Sequence, residues 1–500
     1  MSTSDRLLRV ILTSGVRRVI LSEQSERKDH SPSRQLKQPW MDSDPFVASL
    51  LRMTRGASLL RMTRGASLLR MTCAAAVTVI LASPLAAQRA PAPVPIRPLG
   101  AAIGTSAITF TQIQHFRALS DGRMLINDPG KRQVILLDSA LANPKVVVDS
   151  SGGATMYGMG AGALIPFAGD STLFVDRNAS AFLVIDAKGD VARVMSAPPG
   201  NAATYLTNPS TYGFPGYSPT LGIVYRLPMP RPQIERPPNG APEITRKFDD
   251  SALVMTMNIK RRTVDTLARV YTGSTLTLKL SANNTNSNTQ SPIFPIFDDW
   301  TVTPDGAVAI LRGREYRIDF YNGDGTRTPG PRLPYAWKQV DDEERTRLTD
   351  SINTQRRKQF DDMLDDMRKQ ADKPTGPGGE KIIIVDGMPI RTYGGERMPP
   401  PTPPSPVQPS EMPDYLPAVE RNLASFRADL DNRLWIRPKP LATMPKGGGT
   451  VYDVTDRTGA LIDRVQLPAG RTLIGFGPGG IVYVTTRDAG ATRIEKRLFK

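Results

Sequence analysis

The chain has 500 residues, of which 39% are hydrophobic, so it is long enough to bury a large core. Its formal net charge is +16, but residues 1–70, with 13 basic and 6 acidic residues, supply +7 of that excess. The remaining basic residues are not clustered among stackable aromatic side chains, so we expect no nucleic-acid partner.

The N-terminal region is repetitive. Residues 48–72 repeat the nine-residue unit ASLLRMTRG almost without change and offer no apolar face of useful length. We interpret residues 1–70 as a non-native or mistranslated extension, a translated repetitive element. Translation would then start at Met53, Met62 or Met71.

The segment that follows resembles an export signal. Arg64 and Arg70 precede an uncharged run that ends at the small residues Ala86 and Ala87. This is the layout of a secretory signal peptide, which we predict over residues 62–88, and it indicates a periplasmic or extracellular protein with no transmembrane segment in the mature chain. A retained N-terminal anchor is the alternative interpretation.

Cys73, the only cysteine, lies inside the expected signal peptide, so the mature chain would contain no disulfide. Residues 89–99 are Pro-rich, and we predict a tether there. The remaining chain must then be held together by core burial and by closure of its fold.

A turn followed by a short apolar stretch recurs along residues 100–500. From Asp121 to Asp170 is 49 residues, and from Asp431 to Gly479 is 48 residues. Each turn supplies an Asp or Gly suited to tight bends, and the apolar stretch behind it is typical of a buried strand. Repeats of this length built from several short strands indicate propeller blades, because one small sheet cannot bury both of its faces alone.

The strand pattern predicts six blades. The first would use residues 114–118, 124–126, 134–137 and 145–148, and the second 164–167, 173–175, 182–185 and 191–194. The third is interrupted by a Pro-rich loop at 228–242. The last has only three strands, at 473–476, 481–485 and 492–498, so we predict that residues 107–110 supply its fourth strand and close the ring.

This arrangement resembles the six-bladed β-propellers of NHL-like secreted repeat proteins. The resemblance implies an all-β fold over residues 100–500, closed by an N-terminal strand and interrupted by a helical and Pro-rich insertion at 334–413. Within the insertion we expect a long polar helix beginning near Asp341, a hairpin with a type I′ turn at Asp386-Gly387 and an extended Pro-rich segment at 399–409. The insertion is either a decorated connection between blades or an arm that docks a partner.

Catalytic chemistry is sparse. His115 is the only histidine beyond the expected signal peptide, and a structural role for it is favoured over a catalytic one. Without a cysteine and further histidines, Cys nucleophiles and multi-histidine metal centres are excluded. A calcium-dependent lactonase or esterase, resembling paraoxonases and gluconolactonases, is the enzymatic alternative, with Asp298, Asp299, Asn422 and Gln114 as candidate oxygen donors around Ca²⁺ in the channel.

The favoured hypothesis is an exported ligand- or protein-binding module with no catalytic residue, no resident metal and no cofactor. We expect a protein or small ligand at the propeller face, where inner strands and inter-blade loops converge. The candidate ligand-binding residues at the channel mouth are Arg117, Asp298, Asp299 and Arg427.

Overall fold

The fold is given by a computed structural model. The structure describes residues 94–499 except 152, 161, 178–180, 197–201, 229–232, 236–242, 248–249, 274–276, 282–286, 291–292, 372–379, 420–424, 440–447 and 489. The expected extension, the expected signal peptide, residues 89–93 of the expected tether and Asn422 lie outside the described residues.

The first blades follow the predicted strand pattern. After two short strands, β1 (Ile96–Pro98) and β2 (Ala102–Thr105), the chain forms two four-stranded antiparallel sheets in sequence order. The first contains β3 (His115–Ala118), β4 (Met124–Asp128), β5 (Gln133–Leu137) and β6 (Lys145–Val148). The second contains β7 (Gly162–Pro166), β8 (Thr172–Asp176), β9 (Ala181–Ile185) and β10 (Val191–Ser196). Turn residue Gly122 has φ of 85°, which explains the Asp-Gly pair before β4.

Two short helices, α1 (Ala202–Leu206) and α2 (Pro209–Tyr212), lead into the third blade. Residues 216–290 contain β11 (Gly216–Ser218), β12 (Gly222–Arg226), β13 (Gln233–Glu235), β14 (Glu243–Lys247), β15 (Ser251–Asn258), β16 (Thr263–Tyr271), β17 (Thr277–Ser281) and β18 (Ser287–Gln290). Strands β11, β12, β15 and β16 form the blade, and β13, β14, β17 and β18 form a separate sheet. The predicted loop at 228–242 therefore contains strand β13, which polar and proline residues concealed in the sequence.

The later part of the chain contains three more blades and the insertion. The fourth blade consists of β19 (Asp299–Val302), β20 (Val308–Arg312), β21 (Arg317–Tyr321) and β22 (Arg327–Arg332). The insertion contains α3 (Asp342–Ala371), β23 (Glu380–Val385), β24 (Met388–Tyr393) and β25 (Glu396–Arg397). The last two blades contain β26 (Phe426–Ala428), β27 (Leu434–Ile436), β28 (Val451–Thr455), β29 (Leu461–Gln466), β30 (Thr472–Gly477), β31 (Ile481–Asp488) and β32 (Ala491–Leu498).

The ring is closed by the N-terminal strands, but not by the residues that the sequence indicated. Strand β2 pairs antiparallel with β32 and completes the last blade. The predicted closing segment, residues 107–110, contributes only an isolated bridge from Phe110 to Thr492. Strand β1, within the expected tether, pairs in parallel with β29 as a fifth strand of the preceding blade. Strands β1 and β2 therefore join two neighbouring blades.

Hydrophobic clusters fill every junction between neighbouring blades in the described chain. Cluster residues such as Leu125 with Phe174, Ile165 with Tyr225 and Val254 with Ile310 each come from two adjacent blades. The remaining three junctions are filled in the same way around Phe320 and Phe426, around Trp435 and Phe476, and around Ile126 and Tyr483. This is a β-propeller, and its sheets are consistent with six blades, whose innermost strands are β3, β7, β11, β19, β26 and β30.

The insertion leaves and re-enters the propeller at one place. The Val340 amide donates to Asp414 O at 2.9 Å, and the Leu416 amide donates to Lys338 O at 3.0 Å. Helix α3 and the hairpin of β23 and β24 are consistent with the predicted insertion, and φ values of 50° at Asp386 and 79° at Gly387 fit the predicted type I′ turn.

Among the described helices, none combines the length and the apolar character needed to span a membrane.

Candidate functional site

The inner strands surround a central channel that contains three cavities. The axial cavity, of about 440 Å³, lies toward the C-terminal ends of the inner strands and is lined by residues of all six, including Arg117, Tyr217 and Thr301. The Trp300 cavity, of about 390 Å³, and the Arg487 cavity, of about 240 Å³, lie toward the opposite face, where the inner strands begin. Cavities therefore lie toward both faces of the ring.

Phe214 and Arg427 lie where these cavities meet. Phe214 lines all three cavities, and Arg427 lines the axial and Arg487 cavities. The Arg427 Cζ atom lies 4.0 Å from the centre of the Phe214 ring, so the guanidinium stacks on the aromatic face. The ring of His115 meets Phe214 edge-on at 5.5 Å. Together the three side chains divide the channel.

Local sequence explains how Phe214 reaches the axis. Helix α2 ends at Gly213, whose φ of 83° turns the chain toward the channel just before β11. Trp300 Nε1 donates to Tyr212 O at 3.2 Å and fixes this turn. A Cβ atom at Gly213 would lie 2.9 Å from Trp300 Nε1, so glycine is required for both its backbone angle and the close approach.

Arg427 is a half-buried cation without a direct partner among the described residues. Burial lowers the pKa of its guanidinium to about 10, and attraction to Tyr452 and Asp299 opposes this shift. The side chain therefore remains protonated at neutral pH. Within the described part of the chain, no residue forms a hydrogen bond or an ion pair with Arg427. A charge partly withdrawn from water in this way is unfavourable unless an anion or water contacts it.

His115 is neutral and only partly satisfied. Burial, together with the nearby charge of Arg427, lowers the pKa of its imidazole from 6.5 to about 3. Its Nε2 atom is buried and has no hydrogen-bond partner among the described residues. The sequence favoured a structural role for His115, and its edge-on contact with Phe214 fits that role, while the unpartnered nitrogen leaves it able to contact a ligand.

Arg117, a predicted site residue, lines the axial cavity but is engaged in the scaffold. Its guanidinium donates to Thr172 Oγ1 at 2.8 Å, to Ser171 O at 3.1 Å and to Asp170 Oδ1 at 3.3 Å. These bonds join the inner strand of the first blade to the second blade. Arg117 is therefore placed to brace the two blades beside the channel.

The two predicted aspartates differ in their surroundings. Asp298 accepts hydrogen bonds from Arg312 Nη1 at 2.8 Å and from the amides of Tyr271 and Gly313 at 3.1 Å each, so it is held within the scaffold. Asp299 accepts one from the Trp300 amide at 2.9 Å and lines the Trp300 cavity. Of the four predicted site residues, Asp299 and Arg427 lie close enough to interact electrostatically.

The calcium hypothesis finds no assembled donor set in the described residues, where no group of three or more His, Cys, Asp or Glu side chains is placed to hold a metal ion. Asn422 lies outside the described residues. The amide of Gln114 donates from Nε2 to Thr207 O at 3.2 Å, while its Oε1 atom is buried and unpartnered among them.

Sequence analysis missed two residues of the channel, Phe214 and Arg487. Phe214 lies in the segment Gly-Phe-Pro-Gly at 213–216, directly before an inner strand, and this placement is the signal that could have indicated it. Arg487 is an exposed residue at the end of β31, and no local pattern distinguishes it from other exposed arginines.

No protein-family model matches the chain, and no curated protein matches it significantly. Similar solved structures include a catalytically inactive virginiamycin B lyase from Staphylococcus aureus, at 10% identity over 78% of this chain and 98% of that chain, with a TM-score of 0.30. A calcium-binding regucalcin from Agrobacterium tumefaciens has 11% identity over 81% and 98%, with a TM-score of 0.29. A gluconolactonase from Xanthomonas campestris has 10% identity over 80% and 99%, with a TM-score of 0.25. The fold assignment rests on the strand pairing described above.

Proposed function

We propose that this chain is an exported β-propeller that binds a small ligand in its central channel and has no catalytic role of its own. The observation that supports the proposal is the stack of Arg427 on Phe214 where three cavities meet. Export is supported by the signal-like composition of residues 62–88.

The channel has the features of a small-molecule site. Its cavities have aromatic walls and a few polar groups, a combination that gives affinity through burial and orientation through hydrogen bonds. Arg427 supplies a charge that the described protein leaves unpaired, and His115 supplies an unpartnered nitrogen next to it. Both groups gain a partner when a ligand binds, so binding offsets the cost of their burial.

The titratable groups at the channel favour binding over catalysis. A general base works best when its pKa lies near the working pH, whereas the pKa of His115 is about 3. Asp298 and Arg117 are committed to hydrogen bonds that hold the blades together. The channel therefore holds a ligand more readily than it transfers protons.

Soaking crystals of the mature protein with a fragment set of neutral, cationic and anionic small molecules tests the proposal. We expect fragments in the cavities that contact Phe214 or Arg427. A screen in which fragments occupy only crevices outside the channel would overturn the proposal. Thr472→Trp, which fills the mouth of the Arg487 cavity from an exposed position, should clear that cavity of fragments, whereas Thr263→Trp on an exposed outer strand should not.

A further inference from the structure

The Arg487 cavity is electropositive. Its lining includes two charged side chains in the described residues, Arg427 at its inner end and Arg487 near its mouth, and no carboxylate. The other polar groups are uncharged hydroxyls and amides, such as those of Thr472 and Gln114. A cleft with positive charge and low-dielectric walls concentrates anions.

Arg427 has its donors available at the edge of the guanidinium plane. Stacking on Phe214 covers one face of the group, and the N–H bonds lie in the plane. A planar guanidinium matches a carboxylate or a phosphate through two parallel hydrogen bonds. Arg487 is exposed and forms no hydrogen bond or ion pair with another described residue, so its side chain can reach the same anion from the solvent side.

Gln114 adds a second requirement that a ligand of this cavity must meet. Its Nε2 atom is engaged with Thr207 O, which fixes the orientation of the amide, and its Oε1 atom is buried without a partner in the described chain. An oxygen in this position accepts a hydrogen bond and cannot donate one. A ligand hydroxyl would satisfy it, and leaving such an atom unsatisfied is costly.

We infer that the Arg487 cavity binds a small organic anion that also carries a hydroxyl group. Its carboxylate or phosphate contacts Arg427 and Arg487, and its hydroxyl donates to Gln114 Oε1. The cavity volume of about 240 Å³ corresponds to roughly eight water molecules, the size of a monosaccharide derivative. This inference rests on the proposed function and names the ligand class.

Calorimetric titration of the mature protein with glucose, glucuronate and glucose 6-phosphate tests the ligand class. The three probes share a hydroxylated ring and differ in the anionic group. We expect at least one anionic probe to bind about tenfold or more tightly than glucose, since charge-assisted hydrogen bonds are roughly twice as strong as neutral ones. Preference for glucuronate identifies a carboxylate ligand, and preference for glucose 6-phosphate identifies a phosphate ligand.

Three variants test whether the anion binds in the Arg487 cavity. Arg427→Met should weaken the preferred anion about 10- to 100-fold and leave glucose unchanged. Arg487→Gln, at an exposed position, should weaken it about two- to fivefold at low salt. Arg314→Met is the matched control, because Arg314 is also stacked on an aromatic ring, 4.2 Å from the centre of Tyr271, but lies outside the three cavities.

Two results would overturn the inference. Equal binding of glucose and both anions would exclude the ligand class while leaving small-ligand binding intact. Anion binding that survives both Arg427→Met and Arg487→Gln would place the anion outside this cavity. The fragment screen described above decides the proposed function independently, because it includes neutral and cationic molecules.

Discussion

The propeller ring and the insertion between Asp341 and Pro413 are held together in different ways. In the ring, each junction between blades has its own hydrophobic cluster, and strands such as β4 and β27 have every residue buried. Helix α3 of the insertion buries only Thr349, Leu364 and Met367 among its 30 residues. None of the clusters contains a described residue between Asp341 and Pro413. The ring therefore carries most of the stability, and the insertion is held largely by contacts within itself.

Contacts inside the insertion support this comparison. Asn353 on helix α3 exchanges two hydrogen bonds with Val407 in the Pro-rich segment, at 2.8 and 3.1 Å. Arg345 Nη1 donates to Met412 O at 3.0 Å. Helix α3 also packs against strands β23 and β24. A unit that packs on itself can be removed or altered with little effect on the structure beside it.

The largest effect is expected where the ring is closed. Deleting residues 94–105 removes β1 and β2, leaves strands β29 and β32 with open edges and breaks the Arg97–Asp463 ion pair. We expect a loss of about 5 kcal/mol, enough to unfold a domain of ordinary stability. Urea denaturation measures it. Deleting only 94–98 should have a smaller effect, and an unchanged midpoint in the longer deletion would contradict closure by these strands.

A matched pair of tryptophans compares the ring with the connection that leads to the insertion. Trp435 is fully buried, packs against Tyr452, Phe476 and Phe499, and donates to Asp429 Oδ2 at 3.1 Å. Trp435→Ala should cost about 3–5 kcal/mol, the range for large-to-small core substitutions. Trp337 is 38% exposed, and Trp337→Ala should cost about 1 kcal/mol or less. Similar losses in the two variants would show that burial in the ring is not what stabilises it.

The sequence predicted the hairpins of the ring well because their signals are local. Asp-Gly turns and short apolar stretches such as 124–126 mark strands through neighbouring residues alone. The closing strand was misplaced by a few residues because its pairing depends on residues near the other end of the chain. Phe110 is buried in a junction cluster without forming a strand, whereas β2 forms ladder hydrogen bonds with mostly exposed side chains. Apolar character predicts burial, not strand pairing.

For the candidate site, the sequence indicates which strands line the channel but not which of their side chains meet across it. Arg427 was indicated by its place on an inner strand, which the repeat fixes. Its partner Phe214 comes from the segment before another blade and crosses the axis, so no spacing in the sequence brings them together. The same reasoning applies to two other predicted site residues. Arg117 bonds to Asp170 and Asp298 bonds to Arg312, and these bonds depend on tertiary contacts that no local sequence pattern indicates.

An intermediate effect is expected from the pH dependence of the ring. The folded-state pKa of His115, about 3, lies below its ordinary value of 6.5, so the unfolded chain binds a proton more readily than the folded chain between these values. The stabilisation is complete above pH 6.5 and is lost as the pH falls toward 3. Relative to His115→Gln, the wild type should lose about 2.3 kcal/mol between pH 6.5 and pH 4.5, because the slope reaches ~1.4 kcal/mol per pH unit only below the pKa of the unfolded chain. If the wild type and His115→Gln show parallel pH profiles in urea denaturation, His115 takes up protons as readily in the folded protein as in the unfolded chain, and the prediction is wrong.

The smallest effect is expected from removing the insertion. Its ends are joined by the bonds between Val340 and Asp414 and between Leu416 and Lys338, so replacing residues 341–413 with a short Gly-Ser link needs no rearrangement of the ring. The excision breaks the Arg345–Asp414 ion pair, whose aspartate is 84% exposed, and exposed pairs contribute about 0–1 kcal/mol. The shorter connection costs slightly less entropy to close, and this stabilises the folded state and offsets part of the loss. We therefore expect a change of about 1 kcal/mol or less in urea denaturation, together with unchanged anion binding in the Arg487 cavity. A loss as large as that of Trp435→Ala would mean that the insertion is part of the ring's core, and the contrast between the two regions would then be wrong.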